Sequence, residues 1–166
     1  MHSISRRSFT RIAAAAPLAA GVPARCGQLP ARVLGATGVR AAMLGWGAQR
    51  IGDGLADQAV TDRIAGLAIE QGLNYIDTAP NYGLSEERLG RALKGKRDKV
   101  FLVTKIETRT REDAMKQVRE SLRRLQTDHL DCVLVHNLGR LDRYPTLDEV
   151  LMKTGAMEAL REAKKE

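Results

Sequence analysis

Apolar residues along the chain form short continuous runs that alternate with helical stripes. The runs at 99–105 and 130–135 are typical of strands covered on both faces. Elsewhere apolar residues recur at spacings of three and four, which predicts amphipathic helices with one buried face. The predicted faces are Val60, Ile64, Leu67 and Ala68; then Leu89, Ala92 and Leu93; then Ala114, Val118, Leu122 and Leu125. A fourth helix is predicted from residue 147 to the end of the chain.

Two further strands complete the pattern. A glycine-spaced hairpin turn is predicted at 33–39, followed by a strand at 41–48 that ends in glycines. The stretch 72–90 is predicted to form a second strand, a polar loop and the start of a helix. Ser85 is predicted to cap that helix, with Glu86 and Glu87 near the positive end of its dipole. Four strand–helix pairs therefore alternate, which predicts parallel strands in an α/β fold.

Polar side chains follow three of the predicted strands. Asp77, Lys105 and His136 each come at the carboxyl end of a different strand, and Tyr82 lies in the loop after the first of these. Because parallel strands end at the same edge, these side chains are expected to meet, as on the catalytic face of a (β/α)₈ barrel. A doubly wound sheet would also gather strand ends. The chain shows no G-x-G-x-x-G phosphate turn to support that alternative.

The run at 77–90 has a distinctive order: Asp-Thr-Ala, a short gap, Tyr-Gly-x-Ser-Glu, then Leu-Gly. It resembles the aldo-keto reductase family, and a weaker resemblance extends from about residue 34 to the end of the chain. The resemblance implies an α/β fold of the (β/α)₈ TIM-barrel type, with the domain at 32–166. A complete barrel needs about 250 residues, whereas only about the first four βα units are present here.

A partial barrel of this kind has physical consequences. We expect the chain to be truncated or part of a longer protein. If four units were the whole product, two sheet edges and an apolar surface would be exposed, which predicts dimerisation or instability. The sequence leaves the oligomeric state open.

The resemblance assigns the catalytic roles to Asp77, Tyr82, Lys105 and His136. It implies NAD(P)H-dependent reduction of an aldehyde or ketone to an alcohol, or the reverse, with Tyr82 as general acid. A carbonyl that accepts hydride develops negative charge on oxygen and needs a proton there. A free tyrosine has a pKa of about 10, so a neighbouring cation is needed to stabilise its phenolate. Lys105 supplies that charge, Asp77 holds the ammonium, and His136 orients the substrate oxygen or relays the proton.

The hydride requires a nicotinamide cofactor, NADPH or alternatively NADH, because no side chain donates hydride. The resemblance places nicotinamide and ribose near the first strand's end, and Asn137 can pair with a carboxamide. Trp46 either walls the pocket of a small carbonyl substrate or packs in the barrel core. The family's adenosine and phosphate site belongs to later strands, which lie outside this sequence. The candidate cofactor contacts are Gly47, Ala48, Gln49, Asp77 and Asn137.

Other readings of the same residues remain open. Each of the four catalytic candidates, taken singly, could be an ordinary loop or strand-end residue. A nucleotide-sensing regulatory subunit would keep the fold without fast turnover, and an inactive half-barrel fragment would assemble no site. No metal is expected, since His2, His129 and His136 lack paired ligands at usable spacing.

Residues 1–26 resemble a twin-arginine signal peptide. A Ser-Arg-Arg-Ser-Phe-Thr-Arg segment at 5–11 precedes an apolar, alanine-rich run at 12–22. That run is shorter than the roughly 20 apolar residues that span a bilayer. This predicts a periplasmic protein that contacts the membrane only through its export signal, or a cytoplasmic one if the leader is not functional. The alternative is a basic amino-terminal tail.

Charge and cysteines add little. The net charge is +7, but four arginines precede residue 26, and without them 23 basic residues face 20 acidic ones. That balance, with no interleaving of aromatic and basic residues, argues against nucleic acid as a partner. Cys26 and Cys132 have unlike settings and do not predict a disulfide.

Overall fold

A four-stranded parallel sheet carries the fold in the computed structural model, which describes residues 29–138 and 146–165. An antiparallel hairpin precedes it, and the four strands of the sheet are neighbours in the order in which they follow along the chain. The leader prediction at 1–26 lies outside the described residues. The strands are β1 (Ala31–Val33), β2 (Arg40–Ala42), β3 (Trp46–Gly47), β4 (Tyr75–Asp77), β5 (Phe101–Ile106) and β6 (Cys132–Val135).

Helices follow the strands of the sheet, as the alternation predicts. Asp57 and Thr110 accept hydrogen bonds from backbone N–H groups in the first turns of the helices at Gln58–Glu70 and Arg111–Leu125, which fixes where these helices begin. A 3₁₀ turn at Arg97–Lys99 leads into β5. The helices are α1 (Gln49–Gly52), α2 (Gln58–Glu70), α3 (Ser85–Ala92), α4 (Arg111–Leu125), α5 (Leu147–Leu151) and α6 (Ala156–Ala163).

β5 lies at the centre of the sheet. All six of its residues are buried, because β4 and β6 pair with its two edges and side chains cover both of its faces. Leu102 and Val103 are fully buried, as the continuous apolar run predicts. Lys105 is the charged residue of this strand, and Ile106 follows it.

Within the described residues, the core consists of two clusters of apolar side chains. The larger joins the sheet to α2 and α3 and includes Ile76, Leu89 and Leu102. The smaller joins Ile106 to α4 and α6 through Ala114 and Ala159. Burial of this apolar surface drives the folding of the layer and holds the strand ends in register.

The hairpin closes the amino end of the sheet. Gly35 and Gly38 have φ values of 52° and 75°, the left-handed conformation that glycine adopts without strain. The Asn74 side chain ties the hairpin to β4: its Oδ1 accepts from Ala42 N at 2.7 Å, and its Nδ2 donates to Arg40 O at 2.8 Å. The predicted hairpin turn is confirmed.

Two of the predicted elements differ most in extent, besides the strands predicted at 99–105 and 130–135, which begin two residues later. The predicted strand at 41–48 is split, since Ala41 and Ala42 belong to the hairpin and only Trp46 and Gly47 join the parallel sheet. The predicted helix from 147 onward is broken into α5 and α6 at 152–155. Gly155 sits against the last turn of α5, where a Cβ atom would meet the carbonyl oxygen of Val150 at 2.5 Å.

The predicted buried face of α2 is wrong at three of its four residues, although the helix itself is confirmed and Ala68 is half-buried against the larger core cluster. Val60, Ile64 and Leu67 are exposed, whereas Thr61 and Ala65 are fully buried. α2 packs against α3, and the side of α2 that meets the core carries these small side chains. Small residues at a helix contact let the backbones approach closely, and apolar spacing alone does not identify that contact.

Candidate active site

Lys105 is the centre of the site. Its Nζ donates to Asp77 Oδ1 at 2.5 Å and to the carbonyl oxygen of Thr78 at 2.8 Å, and the lysine side chain is only 10% exposed. The same nitrogen lies 4.8 Å from the centroid of the Tyr82 ring. A buried ammonium needs such partners because desolvation of an unpaired charge costs several kcal/mol. The ammonium is therefore held between a carboxylate and the face of the phenol.

The loop that carries Tyr82 is fixed by close backbone contacts. Tyr82 O accepts from Ser85 N at 3.0 Å, and Leu84 N donates to Gly52 O. Gly52, at the end of α1, lies so close that a Cβ atom there would overlap the carbonyl oxygen of Tyr82. Gly83 has a φ of 56°, the left-handed region that glycine tolerates. Gly52 was not among the residues predicted from the sequence; the pair of glycines at 52 and 54 is a signal that could have found it.

The Ser85 side chain does not cap α3 as predicted. Leu84 occupies the capping position, and no side chain there caps the helix. Instead the buried Ser85 hydroxyl shares a 2.8 Å hydrogen bond with Thr78 Oγ1 and donates to Ala48 O at 2.8 Å. These bonds tie the ends of β3 and β4 to the first turn of α3. Ser85 thus holds the base of the Tyr82 loop.

His136 follows β6, as predicted, and its backbone N–H donates to Ile106 O at 2.8 Å. Its ring meets the Tyr82 ring edge-on, with centroids 5.8 Å apart and planes at 82°. Burial lowers the pKa of His136 below its ordinary value; the Glu107 carboxylate acts in the opposite direction and the Lys105 charge in the same direction. The neutral imidazole is therefore favoured at neutral pH.

Glu107 is a site residue that sequence reasoning missed. Its Oε1 lies 3.1 Å from His136 Nδ1 and accepts from Asn81 Nδ2 at 2.6 Å. This separation is within ion-pair range, but the two atoms do not form a hydrogen bond, so the contact is electrostatic in this conformation. Its position two residues after Lys105, just beyond the strand end, is the signal that could have found it.

The structure brings the four catalytic candidates together. We call Asp77, Tyr82, Lys105 and His136 the site cluster. Three of them stand at the ends of adjacent strands β4, β5 and β6, and the fourth reaches them from the loop after β4. A phenol with a cation on one side and an imidazole at its edge is equipped to donate a proton to an oxygen atom placed between them.

The predicted cofactor and substrate residues lie along the same edge. Gly47 pairs with Asp77 in the sheet register, and a Cβ atom at Gly47 would meet no atom within 4 Å. Gln49 is exposed at the start of α1, and Asn137 follows His136 with a φ of 51°. Ala48 is fully buried, and its N–H and C=O are used by Asp77 O and Ser85 Oγ.

Trp46 is partly buried against the larger core cluster. This packing agrees with the core alternative for Trp46, and its role as a wall of the substrate pocket stays a prediction. The cofactor contacts also stay predictions.

Two further observations concern only the described ranges 29–138 and 146–165. No helix there is long and apolar enough to cross a membrane. In the same ranges, no three His, Cys, Asp or Glu side chains are grouped as metal ligands would be.

The model of the aldo/keto reductase family matches residues 43–166, which is most of the chain. The chain belongs to this family. Among its relatives is the aldo-keto reductase YhdN of Bacillus subtilis, 38% identical over 117 residues, covering 60% of this chain and 35% of the relative. The family match confirms the resemblance on which the site prediction was based.

Solved aldo/keto reductases show the same fold. The holo form of aldo-keto reductase AKR11C1 from Bacillus halodurans aligns at a TM-score of 0.69 and 32% identity, covering 82% of this chain and 47% of that one. A Klebsiella pneumoniae aldo/keto reductase in complex with NADP and acetate aligns at 0.54 and 35%, covering 63% and 38%. The chain spans less than half the length of these three relatives. The sheet is therefore part of a (β/α)₈ barrel.

Proposed function

We propose that the protein is an NAD(P)H-dependent carbonyl reductase, or the corresponding alcohol dehydrogenase, in which Tyr82 is the general acid. The observation that carries the proposal is the position of Lys105 Nζ, bonded to Asp77 and 4.8 Å from the centre of the Tyr82 ring. An isolated structural ion pair needs no phenol at its side. This arrangement instead places positive charge where a phenolate would form.

In this mechanism the chain's own residues handle the proton and the oxygen. The Tyr82 hydroxyl donates its proton to the carbonyl oxygen as negative charge develops there, and the Lys105 ammonium stabilises the resulting phenolate. Asp77 keeps the ammonium in place. His136, at the edge of the Tyr82 ring, contacts the same oxygen and orients it. In the reverse direction the phenolate takes the proton from the alcohol.

The residues at the sheet edge fit a nicotinamide group. The open space beside Gly47, adjacent to Asp77, leaves room for a flat ring to approach the backbone. Gln49 and Asn137 offer amide groups that can pair with a carboxamide. When bound, the cofactor supplies the hydride. NADPH is the proposed form, with NADH possible, and the relative in complex with NADP supports a nicotinamide cofactor.

A carbonyl panel tests this function. The purified protein is mixed with NADPH or NADH and a series of aldehydes and ketones, and oxidation of the cofactor is followed by its fluorescence. Carbonyl-dependent oxidation is expected with at least one small substrate. Cofactor binding without oxidation across the panel would instead select the nucleotide-sensing alternative. Absence of both binding and cooperative unfolding would select an inactive half-barrel fragment.

We also propose that residues 1–26 direct export through the twin-arginine pathway to the periplasm. The proposal is supported by the arginine pair at positions 6 and 7 ahead of an apolar run. Fractionation of cells producing the native protein and a variant with both arginines changed to lysine tests it. The native protein is expected in the periplasm and the variant in the cytoplasm; equal distribution of the two would contradict export by this route.

A further inference from the structure

Two buried hydroxyl groups join the two ends of the loop that carries Tyr82. Thr78 directly follows β4 and Ser85 begins α3, so the two residues bracket positions 79–84. Both are fully buried, and their hydroxyl oxygens lie 2.8 Å apart. Within the loop, Tyr82 N donates to Ala79 O at 3.1 Å, and Ser85 N donates to Tyr82 O at 3.0 Å. The bond between Thr78 and Ser85 therefore fixes the span of a short, tightly turned loop at its base.

The protons of the two hydroxyls have a definite order. The Ser85 hydroxyl also lies 2.8 Å from Ala48 O, and a carbonyl oxygen only accepts, so Ser85 donates there. A serine hydroxyl has one proton and two lone pairs, so Thr78 donates the hydrogen bond between the two hydroxyls. Loss of the Ser85 hydroxyl would leave the buried Thr78 proton without this acceptor and would remove one hydrogen bond from Ala48 O.

Thr78 also holds the ammonium of the site through its backbone. Its carbonyl oxygen accepts from Lys105 Nζ at 2.8 Å, and its N–H donates to Val103 O at 2.8 Å. The Ser85 hydroxyl bonds to the side chain of the same residue. Asp77 Oδ1 and Thr78 O are the two oxygens bonded to the ammonium. A shift of Thr78 would therefore displace one of these two oxygens.

Ala48 extends the network to the candidate cofactor contacts. Its N–H donates to Asp77 O at 2.8 Å, and its carbonyl oxygen accepts from Ser85. Gly47 and Gln49, on either side of Ala48, are among the predicted contacts of the nicotinamide group. The Ser85 hydroxyl therefore joins three parts of the site: the predicted cofactor segment, the base of the phenol loop and the strand end that holds the ammonium.

We propose that Ser85 is a positioning residue of the active site, whose hydroxyl fixes the phenol of Tyr82 relative to the ammonium of Lys105. The inference rests on the proposed function and adds a residue to it. Because Ser85 is fully buried, it acts through Thr78 and Ala48 and not by contact with the substrate. Displacement of a reacting group by about 1 Å can reduce the rate by about 10²-fold, so a bond at the base of the loop affects the reaction from a distance.

Nitrogen NMR of the lysine side chains tests the position of Lys105 without any turnover. A Lys105→Met variant identifies the ammonium signal of this residue. In the wild type the ammonium protons are expected to exchange slowly with water, because Lys105 is buried and bonded to Asp77 and Thr78. In Ser85→Ala the exchange is expected to be roughly three- to tenfold faster, the factor that one hydrogen bond typically contributes to an equilibrium. An unchanged exchange rate would overturn the proposal.

Single-turnover kinetics separate positioning from a merely structural role. The complex of Ser85→Ala with NADPH is mixed rapidly with a carbonyl substrate, and hydride transfer is followed by the fluorescence of NADPH. The rate constant is expected to fall by about 10- to 100-fold, because the phenol is misplaced. A merely structural role would instead lower the amplitude, through the fraction of folded protein, and leave the rate constant unchanged. That second result would overturn the proposal.

Ser121→Ala is the matched control. Ser121 is a buried serine on α4, and its hydroxyl has no hydrogen-bond partner within the part of the chain that the structure describes. Its variant should keep the wild-type rate constant and the wild-type exchange of Lys105. If Ser85→Ala does not fold, Ser85→Cys takes its place, since a thiol is only a weak donor. Its rate constant is expected to fall by about three- to tenfold, and an unchanged value would contradict the proposal.

A double variant tests the order of the hydroxyl protons. In Ser85→Ala the Thr78 proton loses its acceptor, and a further Thr78→Val change removes that buried donor with a side chain of similar shape. The double variant is therefore expected to be at least as stable in urea as Ser85→Ala, and lower stability would contradict this order. If Lys105 exchange follows the expectation but the wild type oxidises no cofactor, the proposed function fails and the positioning of Lys105 by Ser85 stands.

Discussion

Two clusters of charged residues, each built around one buried charge, flank β5, and they have different consequences. Successive side chains of a strand point to opposite faces, so Thr104 faces the helices and Lys105 faces the strand-end site. The hydroxyl of Thr104 donates to the fully buried Glu86 at 2.7 Å. Glu86 belongs to what we call the outer cluster: Glu86, Glu87, Glu120 and Arg124, which joins α3 to α4.

The comparison teaches that burial of charge alone does not identify a site. Arg124 bridges three carboxylates at 3.0 to 3.6 Å, and no aromatic hydroxyl or imidazole lies among them. In the site cluster, by contrast, one ammonium contacts a carboxylate and a phenol, and an imidazole lies beside the phenol. The outer cluster therefore fixes two helices, whereas the site cluster combines charge with groups that exchange protons.

Lys105→Met, in the site cluster, should have the largest effect on turnover. Methionine keeps an unbranched chain but removes the charge beside Tyr82, so turnover is expected to fall by roughly 10²- to 10⁴-fold, the usual contribution of acid–base groups. Steady-state oxidation of NADPH measures this. The control, Lys116→Met, removes an exposed ammonium on α4 and should leave turnover unchanged. If turnover of Lys105→Met stayed within tenfold of the wild type, the Lys105 charge would not be needed for the reaction.

Gly52→Ala tests whether the position of Tyr82 matters as much as its chemistry. A Cβ atom at Gly52 overlaps Tyr82 O, so the loop has to move. Displacement of a reacting group by about 1 Å can reduce turnover by about 10²-fold. Gly66→Ala in α2 is the matched control, since a Cβ atom there meets nothing within 4 Å. Equal turnover in the two variants would show that the Gly52 contact does not position the phenol.

Glu86→Ala should affect stability and spare the chemistry. Removal of one partner of a buried charge pair typically costs about 3 kcal/mol or more of unfolding free energy, and the buried Thr104 hydroxyl also loses its acceptor. Urea unfolding measures the loss, with Glu112→Ala as the exposed control. Turnover per folded molecule is expected to stay within a few-fold of wild type. A stable but inactive Glu86→Ala protein would show that the outer cluster also contributes to turnover, which would contradict this assignment.

The smallest effect is expected from the exposed edge of the outer cluster. The hydrogen bond from Arg123 holds the pKa of Glu120 at about 2, well below its ordinary 4.5. Because the folded-state pKa is depressed, the stabilising contribution is complete above pH 4.5 and is lost as the pH falls from there toward 2. Glu120→Gln should show a slightly smaller loss of thermal stability across that window, and unchanged turnover at neutral pH. If Glu120→Gln and the wild type had the same pH profile of the melting temperature, this assignment would be contradicted.

The order of strands and helices could be predicted because apolar runs and helical spacings are local properties. The ends of three parallel strands must meet, so the convergence of Asp77, Lys105 and His136 followed from their positions. The sequence could not show which face of α2 is buried, because Thr61 and Ala65 fit a close helix contact that spacing does not reveal.

Side-chain partners were less predictable than strand ends. Serine is a residue type that commonly caps helices. The Ser85 hydroxyl instead forms hydrogen bonds with Thr78 and Ala48, so it does not cap α3. Glu107 carries no motif, and its contact with His136 depends on how far β5 and β6 are offset in the sheet. Such partners follow from three-dimensional register, which the sequence pattern leaves undetermined.

The phenol is the group on which the whole account depends, and Tyr82→Phe removes only its hydroxyl. Rapid mixing of the enzyme–NADPH complex with a carbonyl substrate measures hydride transfer in a single turnover, and fluorescence titration checks that NADPH still binds. We predict that transfer slows by at least about 10²-fold in Tyr82→Phe while cofactor affinity and thermal stability stay at wild-type levels. Transfer at the wild-type rate in Tyr82→Phe would contradict the account.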